Sequence, residues 1–451
     1  MDNLTAARAQ MGISLGFHMV FAALGIGLPL LMIIAEGLWL RRHEQVYLDL
    51  AKKWAKAAGI LFAIGAVSGT ALSFELGLLW PPFMQFAGPI ICPAFALEGY
   101  AFFIEAIFLG LYLYGWTRLK PVVHWLCGVP VALSGAASGV LVMSANSWMQ
   151  NPTGFQVQNG KPVNIDPLAA LINPSWGVLA VHLTLASYMA TAFMVVAVYA
   201  WGMLRGRRDL YHKRGLALAM VLGTITAIAQ PISGDFAARL VQRTQPIKLA
   251  AMESQFATER GAPLRIGGIP DTANRKVNFA IEIPNGLSLL ATHDPNAEIQ
   301  GLDSVPRDRW PDVPLVHISF QVMVGSGFAI LALAALYWFV RWRKREHGKW
   351  LLRGLLLSGV LGVAAMEAGW IVTEIGRQPW IIYNLMRTAQ AVTPAPGIWI
   401  TFTSFVTLYV LLAVTLVWLL LRLATGRPIE PETADREGKQ DSNKEKRAIA
   451  T

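Results

Sequence analysis

Residues 176–204 read WGVLAVHLTLASYMATAFMVVAVYAWGML. No Asp, Glu, Lys or Arg interrupts the run, and about 20 such residues in a helix cross the roughly 30 Å hydrocarbon core of a bilayer. The same reading recurs along the chain. Nine candidate spans lie near 13–40, 54–80, 93–116, 122–146, 176–204, 215–234, 313–340, 350–375 and 397–422. Composition agrees, since 54% of the 451 residues are hydrophobic and only 15% are charged, against about a quarter charged in soluble chains. The several soluble domains that length alone suggests are excluded, as are a disordered chain and a secreted disulfide scaffold. Cys92 and Cys127 lie in or near apolar spans and form no CxxC pattern. The first ten residues contain Asp2 and one basic residue, Arg8. With no small-residue cleavage site after a short apolar core, they are not expected to be a signal peptide.

The net charge of +10 is explained by where the cations sit. Arg41, Arg42, Lys52 and Lys53 follow the first span, Arg118 and Lys120 the third, Arg205, Arg207, Arg208, Lys213 and Arg214 the fifth, and Arg341, Arg343, Lys344, Arg345 and Lys349 the seventh. The alternate connections are poor in cations: WPPFMQFAGPIICP (80–93) has no charge, and 147–175 has one basic residue, Lys161. By the positive-inside rule every second loop faces the cytoplasm. The chain reads as an all-α membrane protein, a bundle of about nine transmembrane helices with the N-terminus outside and the C-terminus cytoplasmic. The lipid bilayer accounts for the positive charge, and no nucleic-acid partner is needed. Helices 1–6 occupy 1–234 and helices 7–9 occupy 313–425. The polar stretch 235–312 between them is an external loop, too long for a simple connection. The charged segment 426–451 is a disordered cytoplasmic tail. No internal repeat of the transporter kind is visible.

Ionisable groups inside spans are costly and point to function. His18 and His182 lie near the outer ends of the first and fifth spans. A lone intramembrane His also serves as an interhelical hydrogen-bonding group, but two at one depth suit metal or heme ligation. Met323 lies at a matching depth in the seventh span; such a Met is ordinarily core filling, although His with Met is one axial set of a heme iron. Glu98 and Glu105 are seven residues apart, about two turns, so they share a helix face. Two carboxyls in one apolar helix suit a proton relay, or otherwise interhelical hydrogen bonds. Glu367, Trp370, Glu374 and Arg377 follow i, i+3, i+7, i+10 and share one stripe. Arg377 can simply pair with Glu374, which leaves the aromatic unexplained; a carboxylate iron ligand beside an Arg for a heme propionate uses the whole stripe.

These residues resemble subunit I of the cytochrome bd family of quinol oxidases. The resemblance covers nearly the whole chain except the tail. It rests on ARAQMGISLGFHMVF (7–21), FALEGYAFFIE (95–105), ANSWMQNP (145–152), QPIKLAAME (245–253), FQVMVGSG (320–327) and, most specifically, EAGWIVTEIGRQPW (367–380). It implies that His182 and Met323 ligate a low-spin heme b. His18 and Glu374 would ligate two high-spin hemes, one of them heme b and the other heme d or a third heme b, the assignment differing among family members. It implies that Glu98, Glu105 and Ser138 carry protons to the dioxygen site, that Trp370 lies between hemes, and that Arg377 meets a propionate. Lys248 and Glu253 match the quinol-site pair, which a bare sequence reading leaves as an ordinary solvated ion pair. Two departures, a short loop without the large insertion and Gln321 where many members have arginine, resemble the cyanide-insensitive branch.

The implied function is quinol:dioxygen oxidoreduction in a bacterial cytoplasmic (inner) membrane. Ubiquinol is oxidised outside, and dioxygen is reduced to water with cytoplasmic protons, so charge separates without a pump. A second large subunit (subunit II) is implied as partner, with a small single-helix subunit as a further one. An electron-transfer b-type cytochrome would explain His182 and Met323 but not the glutamate pair. A carboxylate-coupled transporter would explain Glu98 and Glu105 but leave the histidines idle.

Overall fold

The computed structural model describes residues 2–425; the tail expected at 426–451 lies outside them. Among the described residues nine helices are long and apolar enough to cross a membrane. They are α1 (Asn3–Arg42), α2 (Gln45–Leu79), α3 (Pro81–Tyr114), α4 (Pro121–Gln150), α5 (Trp176–Leu204), α6 (Leu210–Thr244), α7 (Val313–Trp342), α8 (Lys349–Ile375) and α9 (Ile398–Thr425). Their short links are built from helix-ending and helix-starting chemistry. His43 takes the left-handed conformation (φ 57°) that closes α1. Asp209 and Asp312 accept the backbone N–H of His212 and Leu315, at 2.9 and 3.1 Å, and so start α6 and α7. The links after α1, α3, α5 and α7 carry the cations and lie at one end, here the basic end. The longer connections lie at the other, the loop end.

The helices run past the spans read from the sequence, α1 from Asn3 rather than 13 and α2 from Gln45 rather than 54, and two stretches read as loop are helix. The charge-free stretch 80–93, read as an outer loop, is helix from Pro81 onward. Pro81 fits the first helical position, where no donor is lost, and α3 also contains Pro89 and Pro93. α6 runs to Thr244, so residues 235–244 are helix rather than loop. Hydropathy stops at the edge of the hydrocarbon, whereas helices project past it. The 40 residues of α1 make about 60 Å at 1.5 Å per residue, twice the apolar thickness.

The shared core is made where α1, α2, α5, α6, α7 and α8 meet, with Leu31, Met32, Leu50, Phe193, Leu216, Met220 and Leu355 all buried. Outside it, Phe103, Ile107 and Leu111 of α3 and Val410, Leu411 and Val414 of α9 remain exposed, apolar faces suited to lipid or to a partner helix. Small residues allow close approach of helices, the usual device where lipid removes the hydrophobic drive. α8 lies so near α5 that a Cβ on Gly359 would stand 2.7 Å from the Ala197 methyl and 3.3 Å from the Phe193 carbonyl oxygen. At the basic end, Tyr112 and His124 donate to the two carboxylate oxygens of Glu36 at 2.6 and 2.7 Å, tying α1, α3 and α4.

The loop after α6 is folded. A short helix, Pro246–Met252, is followed by antiparallel pairs Glu259–Arg260 with Glu298–Ile299, Leu264–Ile266 with Ile281–Ile283, and Ile269–Asp271 with Lys276–Asn278. Replacing Gly359 by valine is expected to force α5 and α8 apart and to cost about 1–3 kcal/mol. Thermal melting of the purified protein, with Gly348→Val as a control in open space, measures it.

Candidate functional site at the loop end

Both intramembrane histidines are held the same way. The Ser68 hydroxyl donates to the Ile64 carbonyl at 2.9 Å, so it accepts from Nδ1 of His18, also 2.9 Å away. The Ser233 hydroxyl donates to the Gln230 carbonyl at 2.9 Å and likewise accepts from Nδ1 of His182 at 2.9 Å. Each serine has one proton and spends it on the backbone, which fixes the imidazole proton on Nδ1 and leaves the Nε2 lone pair bare. The Gln230 amide nitrogen stands 3.3 Å from Nε2 and 3.4 Å from Nδ1 of His182, over the ring and away from the in-plane lone pair. This second layer of bonding is how metal-ligating histidines are oriented.

His182 and Met323, on α5 and α7, line one cavity of about 360 Å³. Trp370 and Lys248 line it too. Met323 lies over Gly369, where a Cβ would stand 3.1 Å from its sulfur. Trp370 packs on the small cluster of Ala23, Ala190 and Met366, as do Met19 and Val20, the next residues after His18. The indole therefore sits between the cavity and the α1 helix that carries His18. Among the described residues no three His, Cys, Asp or Glu side chains converge to hold a bare metal ion. An imidazole and a thioether would supply two ligands only, so a group held by them would need a macrocycle to complete an iron's coordination.

Glu367, Trp370 and Glu374 lie on α8, whereas Arg377 follows the helix end at Ile375 and so is not on its stripe, though it still reaches Glu374. Arg377 donates to Glu374 at 2.6 Å, and Asn146 donates to the other Glu374 oxygen at 2.7 Å. Arg377 is 2% exposed, yet its Nε and Nη1 have no partner. A buried guanidinium with free donors has room for a second anion beside Glu374, and a tetrapyrrole propionate fits that need. Glu374 keeps unused lone pairs on both oxygens. The residues present therefore fit hemes. Glu367 stands beside α1, 3.3 Å from where a Gly16 Cβ would be, with one oxygen unpartnered.

Lys248 and Glu253 are buried, not a solvated pair, and no bond joins them among the described contacts. Lys248 donates to neutral acceptors, the Thr373 carbonyl at 3.0 Å and the Gln150 side chain at 3.2 Å. Burial, then the nearby Arg377 charge, pulls its ammonium down to about 7. Burial pushes the Glu253 carboxyl up to about 8 against the opposing pull of Arg265, and one of its oxygens has no partner. Gln150 is a hub: its side chain and carbonyl also accept from Gln245 at 2.9 and 2.7 Å. The loop is fastened to α7 as well. Gln321 donates to the Arg265 carbonyl at 3.1 Å and accepts from the Gly267 amide at 2.9 Å. His317 reaches the Met252 carbonyl at 2.8 Å.

Glu98 and Glu105 lie on the seam between α3 and α4. Ser138 donates to Glu98 at 3.4 Å, a long bond. Glu105 faces Gly135, where a Cβ would stand 3.4 Å from its carboxylate. Two further intramembrane carboxyls, Glu36 and Glu75, meet the same sequence criterion. Glu75 is fully buried and accepts from Gln10 and Ser14, at 3.1 and 2.7 Å. Asn146 and Gln150, four residues apart in ANSWMQNP, also belong to the site. Their signal in the sequence is two amides on one face at the end of an apolar span. Ser68 and Ser233 carried no such signal.

The chain matches the family model described as cytochrome bd terminal oxidase subunit I over residues 6–428. It is 36% identical over 438 residues to the putative cytochrome bd menaquinol oxidase subunit I of Bacillus subtilis (strain 168), covering 96% of this chain and 99% of that one. It is 34% identical to the cytochrome bd ubiquinol oxidase subunit 1 of the same organism, covering 94% and 93%. The cytochrome bd-II ubiquinol oxidase subunit 1 of Escherichia coli (strain K12) is 30% identical, covering 86% and 90%. A solved structure, the bd oxidase from Geobacillus thermodenitrificans, superposes with a TM-score of 0.89 at 37% identity, covering 94% of this chain and 98% of that one. The chain therefore belongs to the cytochrome bd terminal oxidase subunit I family and is a multi-pass, all-α bacterial membrane protein.

Gln150→Leu removes the acceptor shared by Lys248 and Gln245. Segment 245–253 is expected to lose about 1–3 kcal/mol of local stability, read as faster amide exchange there while α1 and α2 keep their protection.

Proposed function

We propose that this chain is the heme-bearing subunit of a terminal quinol oxidase. It would take electrons from a quinol at the loop end and reduce dioxygen to water within the bundle, with protons drawn from the basic end. The observation that carries the reading is the single cavity that His182, Met323, Trp370 and Lys248 share. Ubiquinol, or the menaquinol of the first relative's name, is the substrate. When bound, the hemes supply electron transfer and the binding and reduction of dioxygen.

The chain's own groups do the rest. His182 and Met323 hold the low-spin heme b from two helices, with Ser233 fixing the imidazole. His18, fixed by Ser68, and Glu374, held by Asn146 and Arg377, carry the two high-spin hemes, heme b together with heme d or a third heme b. Arg377 offers its two free donors to a propionate. Trp370 separates the cavity from the His18 side. Lys248 presents a cation-capable group at the quinol end of the cavity, and Glu253 accepts a quinol proton at its unpartnered oxygen. Glu105, then Glu98 with Ser138, step protons along the α3–α4 seam. Quinol protons leave at the outer face and water's protons come from the cytoplasm, so charge separates without a pump. The folded short loop and Gln321 support the cyanide-insensitive branch. A second large subunit, and a small single-helix one, would cover exposed helix faces in the cytoplasmic membrane.

The test is a reduced-minus-oxidised optical spectrum of the purified complex, with and without carbon monoxide. Heme b bands that shift with carbon monoxide are expected, and a far-red band would identify heme d. An intact complex without heme would overturn the proposal. His182→Ala and Met323→Leu are expected to remove the low-spin signal and spare the carbon monoxide response.

Glu253 accepts a proton only when ionised. Quinol oxidation is therefore expected to rise with pH through about 8, with ubiquinol and menaquinol analogues assayed in parallel. Glu253→Gln should lower the rate and flatten that limb. The raised carboxyl binds more protons folded than unfolded between its ordinary value and about 8. Its contribution to stability thus falls as pH rises across that window, and the glutamine variant should not show the fall.

A further inference from the structure

At the opposite, basic end a second cleft of about 170 Å³ opens between α1, α2, α5 and the start of α6, with α9 along one edge. Its deep wall is apolar, formed by Leu24, Leu28, Leu61 and Met194, and its mouth carries Lys53, Arg205 and Arg207. None of the three cations forms an ion pair among the described residues. Lys53 lies over the Tyr211 ring at 5.8 Å, and Arg205 over the Trp201 ring at 4.3 Å. Asp209 and Asp49 stand nearby, bonded to His212 at 2.9 Å and to Gln45 at 3.0 Å, but no carboxylate lines the cleft itself. The lining of the mouth is therefore cationic.

The depth of the cleft is informative. Along α5 it extends from Arg205 to Thr191, about 21 Å at 1.5 Å per residue. A single leaflet with its headgroups is about 20 Å thick, half of the whole bilayer. The cations thus lie at headgroup level and the apolar wall at acyl-chain level. The basic end is also the end that the positive-inside rule places beside the anionic cytoplasmic leaflet.

We propose that this cleft seats one anionic phospholipid, its phosphate among Lys53, Arg205 and Arg207 and one acyl chain against Leu24, Leu28 and Met194. Lysine and arginine meet phosphate by charge-assisted hydrogen bonds. The apolar trench supplies what a free phosphate could not use. The site is independent of the redox reading, because it touches none of the residues assigned there.

The experiment uses the detergent-purified, delipidated complex. Thermal melting and native mass spectrometry follow titration with phosphatidylglycerol, phosphatidylcholine or inorganic phosphate. Phosphatidylglycerol should raise the melting temperature and remain bound, while the other two should not. Lys53→Gln and Arg207→Gln should each weaken that binding about fivefold. Lys344→Gln, a cation of the same end outside the cleft, should leave it unchanged, and Lys53→Arg should restore it. Equal stabilisation by phosphatidylcholine, or a shift produced by phosphate alone, would overturn the proposal. So would wild-type binding in both glutamine variants, or an equal loss in Lys344→Gln.

Discussion

A hydrocarbon layer offers no hydrogen bond, and the rest of the structure follows from that constraint. Every backbone N–H and C=O must be satisfied within its own segment, which leaves helices as the form for this chain's apolar runs. The same constraint confines polar side chains to the bundle interior, where each needs a partner. Serine hydroxyls turn back onto backbone carbonyls one turn away, and in two places this leaves an oxygen ready to take an imidazole proton. Ser68 and Ser233 are thus products of the solvent before they are parts of a site.

The loop end shows how a polar site is secured on such a scaffold. Gln150, at the last residue of α4, gathers Gln245 and Lys248 of the loop and lies beside the Thr373 carbonyl of α8. Its fellow amide Asn146, one turn earlier, holds Glu374. One helix end therefore orients both a loop cation and an intramembrane carboxylate. Family membership is consistent with this arrangement, since the match runs through the loop as well as the spans.

What could be read from the sequence follows from range. Span number and the spacing Glu367–Trp370–Glu374 are short-range properties, set by helix period and hydropathy, and both are present in the fold; Arg377 lies past the end of α8, where the helix period no longer applies. Helix ends were less legible. Thr244 and Pro81 lie where polarity or proline resembles a loop, yet neighbouring helices keep the backbone helical there. Partner choice was least legible. Nothing local in Ser233 reveals that it faces His182, and nothing in Lys248 reveals that its acceptors are Gln150 and Thr373. The cavity that His182 and Met323 both line depends on α6 and α8, each of which packs on both α5 and α7 and so brings together residues more than a hundred apart in the chain.

Gln321 grips the backbone at Arg265 and Gly267 with both ends of its amide, and Met323 is two residues farther along the same helix. The loop and the thioether therefore share a single helical turn as their anchor. Residues two apart on a helix do not face each other, so this turn meets the loop with Gln321 and the cavity with Met323. In this chain a single turn of α7 both fastens the folded loop and presents a thioether to the cavity, so one short piece of helix sets the position of each.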